Sequence, residues 1–118
     1  MKVAEAILLF LIGIVSTGAV ARTSQPATER IEIVAKRYAY EPAEITVHKG
    51  QPVTLELTSA DVTHGLAVKE LGIKTEIKKG KTAEVTFTPE TAGTFIGKCS
   101  HFCGMGHGRM KFKIHVIE

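Results

Sequence analysis

Residues 99–110 read Cys-Ser-His-Phe-Cys-Gly-Met-Gly-His-Gly-Arg-Met. Both cysteines of the chain, two of its five histidines and two of its three methionines fall in this stretch. Thiolate, imidazole and thioether together suit copper or zinc better than any hard, oxygen-seeking cation. The smallest centre these donors build is a mononuclear blue-copper site of one thiolate, two imidazoles and a weak axial thioether. Cys103, His107 and Met110 supply three of those four ligands. The second imidazole has to come from elsewhere, and His64 is the candidate. It stands next to Gly65, whose missing Cβ lets a neighbouring loop approach closely.

Cys99 is one thiol more than that centre uses. Two thiolates four residues apart on a tight loop can bridge a pair of copper ions. His64 and His107 would then be the terminal ligands, Met110 the weak donor to one copper, and a backbone carbonyl between the cysteines the weak donor to the other. A rigid cage of this kind spreads one electron over two ions, so little has to move when its charge changes. It needs no open coordination position for a substrate. Two other fates are open to the same residues. One is a Cys99–Cys103 disulfide, the usual end of an exported cysteine pair. The other is a zinc site of two Cys and two His, against which the thioether of Met110 counts.

Strands must position these side chains. Ile31 and Ile33 flank Glu32; Ile45 and Val47 alternate with Thr46 and His48; Val53, Leu55 and Leu57 alternate with Thr54, Glu56 and Thr58. Val85 and Phe87, and then Phe112, Ile114 and Val116, repeat the pattern. Period-two alternation marks strands with one buried face. Turn residues punctuate the runs at Glu41-Pro42, Lys49 to Pro52, Lys79 to Lys81 and Pro89 to Gly93. The expectation is seven or eight strands near 31–36, 44–48, 52–59, 65–69, 73–78, 82–88, 93–98 and 110–117, folded as an antiparallel sandwich or barrel. No helical period is visible past residue 30. The cysteine-rich stretch then falls in the loop before the last strand. Met110 shares parity with Phe112, so its thioether is expected to point inward under that loop.

The 118 residues suit one domain, and the first 21 look separate from it. Lys2 precedes an uncharged run over Ala6–Ala21, and Ala19-Val20-Ala21 places small residues at the −3 and −1 positions of a cleavage site. That is the layout of a secretory signal peptide, with an uncleaved membrane anchor as the alternative because Glu5 interrupts the positive region. Residues 22–30 read as a linker and 31–118 as the domain. The formal net charge is +3, and the leader removes one charge of each sign. Mild basicity of this size serves solubility first and an acidic partner second. Nothing suggests a nucleic-acid surface.

The constellation resembles the CuA domain of cytochrome c oxidase subunit II, also found in nitrous oxide reductase. That pattern is Cys-x-Glu-x-Cys-x-x-x-His-x-x-Met with an upstream histidine. Cys99, Cys103, His107 and Met110 fall on four of its positions. Ser59-Ala60-Asp61-Val62-Thr63-His64-Gly65 looks like its upstream histidine segment, and Tyr40 to Ile45 and Pro89 to Phe95 look like its strands and turns. The resemblance runs over residues 31–118 and implies a cupredoxin fold, a Greek-key β-sandwich. It also implies copper as cofactor, and a redox partner such as a cytochrome c or a terminal reductase or oxidase. The implied location is exported, in the periplasm or on the outer face of the cytoplasmic membrane.

One departure stands out. His101 replaces the glutamate between the cysteines. The resemblance makes that residue a ligand through its backbone carbonyl, which His101 still offers. The carboxylate that would contact an oxidase's catalytic subunit is gone. With no tryptophan in the chain and no second apolar run for a membrane hairpin, the expectation is a free-standing or singly anchored relative.

The remaining candidates have plainer readings. His48 and His115 sit among polar strand positions and read as solvated. Met105 reads as loop cover, Asp61 as a turn cap that could also orient His64, and Tyr38 and Tyr40 as packing. Gly104, Gly106 and Gly108 let the loop fold tightly. No nucleophile–base pair, paired-carboxylate motif or phosphate loop is present, so catalysis by this chain alone is not expected. The functions left are electron transfer, copper carriage, and a disulfide-bonded structural domain.

Overall fold

Alternating apolar residues commit most of the chain to strands with one face in a shared core. The computed structural model describes Gly13, Gly18 and residues 28–118. Apart from Gly13 and Gly18, the expected leader over 1–21 lies outside the described residues, as do residues 22–27 of the expected linker, whose last two residues open β1. The strands are β1 (Glu29–Lys36), β2 (Ala39–Glu41), β3 (Glu44–His48), β4 (Val53–Ser59), β5 (His64–Val68), β6 (Ile73–Ile77), β7 (Ala83–Phe87), β8 (Gly93–Lys98) and β9 (Lys111–Ile117). They form a four-stranded sheet in the order β2-β1-β4-β7 and a five-stranded sheet in the order β3-β9-β8-β5-β6. Two short 3-10 turns interrupt them, at Lys69–Leu71 and His107–Arg109. No helix among the described residues is long and apolar enough to cross a membrane.

The inner faces meet in one core. Ile33, Leu55, Leu57, Leu66, Val68, Ile77, Phe112 and Ile114 are all fully buried. Each such side chain contributes about 1.5–3 kcal/mol on leaving water. Tyr40 crosses between the sheets, its ring tilted against Phe112 at 5.6 Å.

The structure departs from the expected strands in two ways. β2 is additional to the expected strands, because three residues between turns leave no alternation to read. The sheets are also mixed instead of antiparallel throughout: β1 runs parallel to β4, and β3 runs parallel to β9. Crossovers between the two sheets bring those pairs together in the same direction, and that is invisible to local pattern.

This arrangement places the site. β5 starts at His64, β8 ends at Lys98 and β9 starts at Lys111, all in the same sheet. The cysteine-rich loop therefore leaves and re-enters the sheet beside the histidine.

Candidate metal centre

The loop is closed at its root, where the Cys99 N–H donates to the Met110 carbonyl at 3.3 Å. Inside it, His107 N–H donates to Gly104 O at 3.1 Å and Arg109 N–H to Gly106 O at 3.0 Å. Tyr38 lies beneath. Gly104 adopts φ of 137°, and a Cβ there would sit 3.2 Å from the tyrosine ring. A Cβ on Gly106 would strike the same ring, whereas Gly108 has open space around it. Two of the three loop glycines are thus required by a close approach and the third is not.

Gly65 lets the loop come down onto β5. A Cβ at that position would run into Ser100 Oγ and lie 3.0 Å from the His101 backbone nitrogen. From the four-stranded side, Arg37 Nε donates to the Cys103 carbonyl at 3.0 Å.

The donor atoms converge under this loop. Cys99 Sγ and Cys103 Sγ are 3.6 Å apart, far from the roughly 2.05 Å of a bonded pair, so both are free thiols. A ring nitrogen of His64 and the two sulfurs lie within 4.8 Å of one another, and all three residues are buried. Met110, fully buried, holds its Sδ 3.9 Å from Cys103 Sγ. His107 Nδ1 lies 3.8 Å from the same sulfur. Its ring rests against Phe102 at 5.7 Å, at the more open side of the group.

His101 divides in two. Its carbonyl faces the cluster and accepts from the Cys99 thiol at 3.0 Å. Its imidazole points away, half-exposed, with Nε2 3.8 Å from Glu76 Oε1. Met105 is 96% exposed and contributes nothing to the cluster. Among the described residues His48 reaches only the Glu118 carbonyl, and His115 sits between Thr94 and Glu44.

Asp61 does more than cap a turn. Its Oδ1 accepts from Val62 N–H and from His64 Nε2, each at 2.6 Å, and its Oδ2 accepts from Arg37 N–H at 2.7 Å. Burial works to raise this carboxyl, but the hydrogen bonds from Arg37, His64 and Val62 outweigh it and hold the pKa at about 2. An ionised carboxylate only accepts, so the His64 proton resides on Nε2. In the neutral ring Nδ1 is then a lone pair; it is fully buried and has no partner among the described residues. Leaving such an atom unsatisfied costs about 1–3 kcal/mol. A soft metal ion held between this nitrogen and the thiolates removes that cost, and a histidine whose other nitrogen is held by a carboxylate is how proteins orient metal ligands. The donors present therefore fit copper.

Burial, and then the neighbouring Cys99, push the Cys103 thiol up to about 11, with Arg37 pulling slightly the other way. Cys103 is protonated at neutral pH until a metal displaces the proton. Burial, and then Cys99, also raise the Tyr40 phenol, which donates to the Gly65 carbonyl at 2.6 Å and anchors the strand just past His64. Of these supporting groups, an aspartate three residues before the histidine was readable as an orienting residue. Arg37, and Tyr38 beneath the loop, had no local signal.

The family profile described as a cupredoxin-like domain matches residues 5–116. A probable cytochrome c oxidase subunit 2 of Streptomyces avermitilis is 41% identical over 70 residues, 59% of this chain and 22% of that protein. Cytochrome c oxidase subunit 2 of Thermus thermophilus is 32% identical over 93 residues, 79% of this chain and 69% of that one. The chain thus spans 22% of the length of the Streptomyces relative and over two thirds of the Thermus one. The periplasmic domain of cytochrome oxidase subunit II from Bradyrhizobium japonicum shares the fold, with a TM-score of 0.71 at 23% identity over 76% of this chain and 84% of that one.

Proposed function

The chain belongs to the cupredoxin-like family and is homologous to cytochrome c oxidase subunit 2, and on that premise we propose that it is an exported electron-transfer protein with a dinuclear copper centre. The observation that carries the copper reading is His64, whose Nδ1 is buried with no partner among the described residues and one of whose ring nitrogens lies within 4.8 Å of two free thiols. The second thiol favours two coppers over one. Cys99 and Cys103 would bridge the ions, with His64 and His107 as terminal ligands, Met110 as one weak donor and the His101 carbonyl as the other.

When bound, such a pair supplies a one-electron couple shared between two ions. The chain's own residues do the rest. Asp61 fixes the His64 tautomer, Arg37 and Tyr38 hold the loop, and burial of Cys99, Cys103 and Met110 excludes water. Rigidity of this kind keeps the ligands in place whichever charge the centre carries. Phe102 and Met105, 71% and 96% exposed, leave an apolar tip on the loop for brief contact with a redox protein such as a cytochrome c or a terminal oxidase or reductase. Residues 1–21 would direct export or anchor the domain, which occupies 31–118.

One observation favours a second reading. His64, Cys99 and Cys103 form the tight group, and His107 lies outside it. One imidazole and two thiolates suffice for a single copper ion, as in a copper carrier, whereas a mononuclear cupredoxin centre would take His64, Cys103, His107 and Met110. Voltammetry of the copper-loaded protein separates transfer from carriage. Electron transfer predicts a reversible wave with fast exchange; loss of copper on cycling, with delivery to an apo-acceptor, would favour the carrier.

A further inference from the structure

The two sheets turn faces of opposite charge to solvent. On the four-stranded sheet, register sets Glu32, Glu56 and Glu84 abreast across β1, β4 and β7. Arg30 bridges Glu56 and Glu84, and the row remains acidic. On the five-stranded sheet, register sets Lys74 beside Ala67, Ala67 beside Lys98, and Lys98 beside Lys111. All three lysines are exposed. Among the described residues, none of their ammonium groups has an ion-pair or hydrogen-bond partner. The carboxylates on this face are already engaged: Glu44 with Lys113 at 3.6 Å and His115 at 3.3 Å, Glu76 with His101 at 3.8 Å.

Like charges directly opposite on paired strands cost stability. Adjacent strands lie about 4.8 Å apart, so successive lysines of the row stand about 5–10 Å from one another, about one Debye length at physiological salt, and present one patch to a partner. Its place is specific. Lys98 immediately precedes Cys99 and Lys111 immediately follows Met110, so two of the cations stand at the roots of the metal loop. Beyond Lys74 the patch opens into a groove of about 510 Å³ lined by Ala67, Lys69, Lys74 and Ser100, the last a loop residue. Solubility needs charges but not this alignment, whereas a basic face backed by an acidic one orients the molecule as it approaches a negative surface.

We propose that the Lys74–Lys98–Lys111 row docks an acidic redox protein, one with carboxylates around its own cofactor, and so presents residues 99–110 to it. The redox nature of the partner rests on the electron-transfer function proposed above; the charge match does not.

The test titrates an acidic c-type cytochrome, and a basic one as counter-probe, into the full chain with and without copper at low and high salt. The expected result is saturable, salt-sensitive binding of the acidic cytochrome by both forms, weakened about tenfold or more by K74E/K98E/K111E and unchanged by E32K on the opposite face. The triple variant relieves like-charge contacts and should melt no lower than the parent; if it does not fold, K74E and K98E singly carry the same test. Equal binding by variant and parent would overturn the proposal, as would preference for the basic cytochrome. Lysine-dependent binding to phosphatidylglycerol vesicles with no binding of the acidic cytochrome would overturn it in favour of a membrane surface. Lysine-dependent docking without electron transfer from the loaded chain would leave the docking surface standing and remove the redox reading alone.

Discussion

Asp61 Oδ1 accepts a hydrogen bond from His64 Nε2 at 2.6 Å, and the other nitrogen of that ring, Nδ1, is buried with no partner among the described residues. The pair behaves as one device. The carboxylate decides which nitrogen carries the proton, and the ring stands against two free thiols.

Asp61→Asn keeps the shape and removes the charge. Copper affinity should fall about 10- to 100-fold, as for other groups that orient a metal-bound histidine, measured by competition with a chelator. Unchanged affinity would show that the ring is held by packing alone.

The same carboxyl makes stability depend on acid. Its folded pKa of about 2 lies below its ordinary value of 3.8, so its contribution is complete above pH 4 and is lost as pH falls toward 2. With the side chain 31% exposed, that contribution is about 1–2 kcal/mol after screening. Urea melts of the metal-free protein should show it at pH 6 and not at pH 2, and Asp61→Asn should flatten the difference.

Gly65→Ala should do harm that Gly108→Ala does not. At Gly65 a Cβ meets Ser100 and the His101 backbone, whereas at Gly108 it meets nothing. The first change should cost about 1–3 kcal/mol in denaturant melts and displace the loop from β5. The second should leave melting and copper loading within error of the parent.

His101→Ala retains the carbonyl that faces Cys99 and loses the ring that faces Glu76. Copper content and visible spectrum should therefore stay as in the parent. A changed spectrum would assign the imidazole to the metal.

Loading should follow the thiols. Because burial and Cys99 raise Cys103 to about 11, copper must displace its proton at neutral pH. Apparent affinity should then rise by up to about tenfold per pH unit for this thiol between pH 6 and 9, with proton release visible in weakly buffered dye solution.

Much of this was legible in the chain. Alternation placed β3, and the turn ending at Gly93 placed β8, at their observed bounds, and the parity of Met110 with Phe112 pointed its thioether inward, where it is fully buried. Gly65 was readable as the point where a loop comes close. What could not be read was of two kinds. β2 is three residues long and carries no period. The groups that support the loop reach it from far along the chain: Arg37 meets Cys103 across 66 residues, and Tyr38 meets Gly104 through a fold in which β1 runs parallel to β4. Sequence pattern reports which face a residue takes and is silent on what it meets there.

The central claim is that Cys99 and Cys103 hold two coppers in one shared redox centre. The direct measurement is copper content together with the electron paramagnetic resonance spectrum of the oxidised, purified protein. The account predicts two coppers per chain and a multi-line hyperfine pattern from one electron shared by both. One copper per chain with a four-line pattern would contradict it.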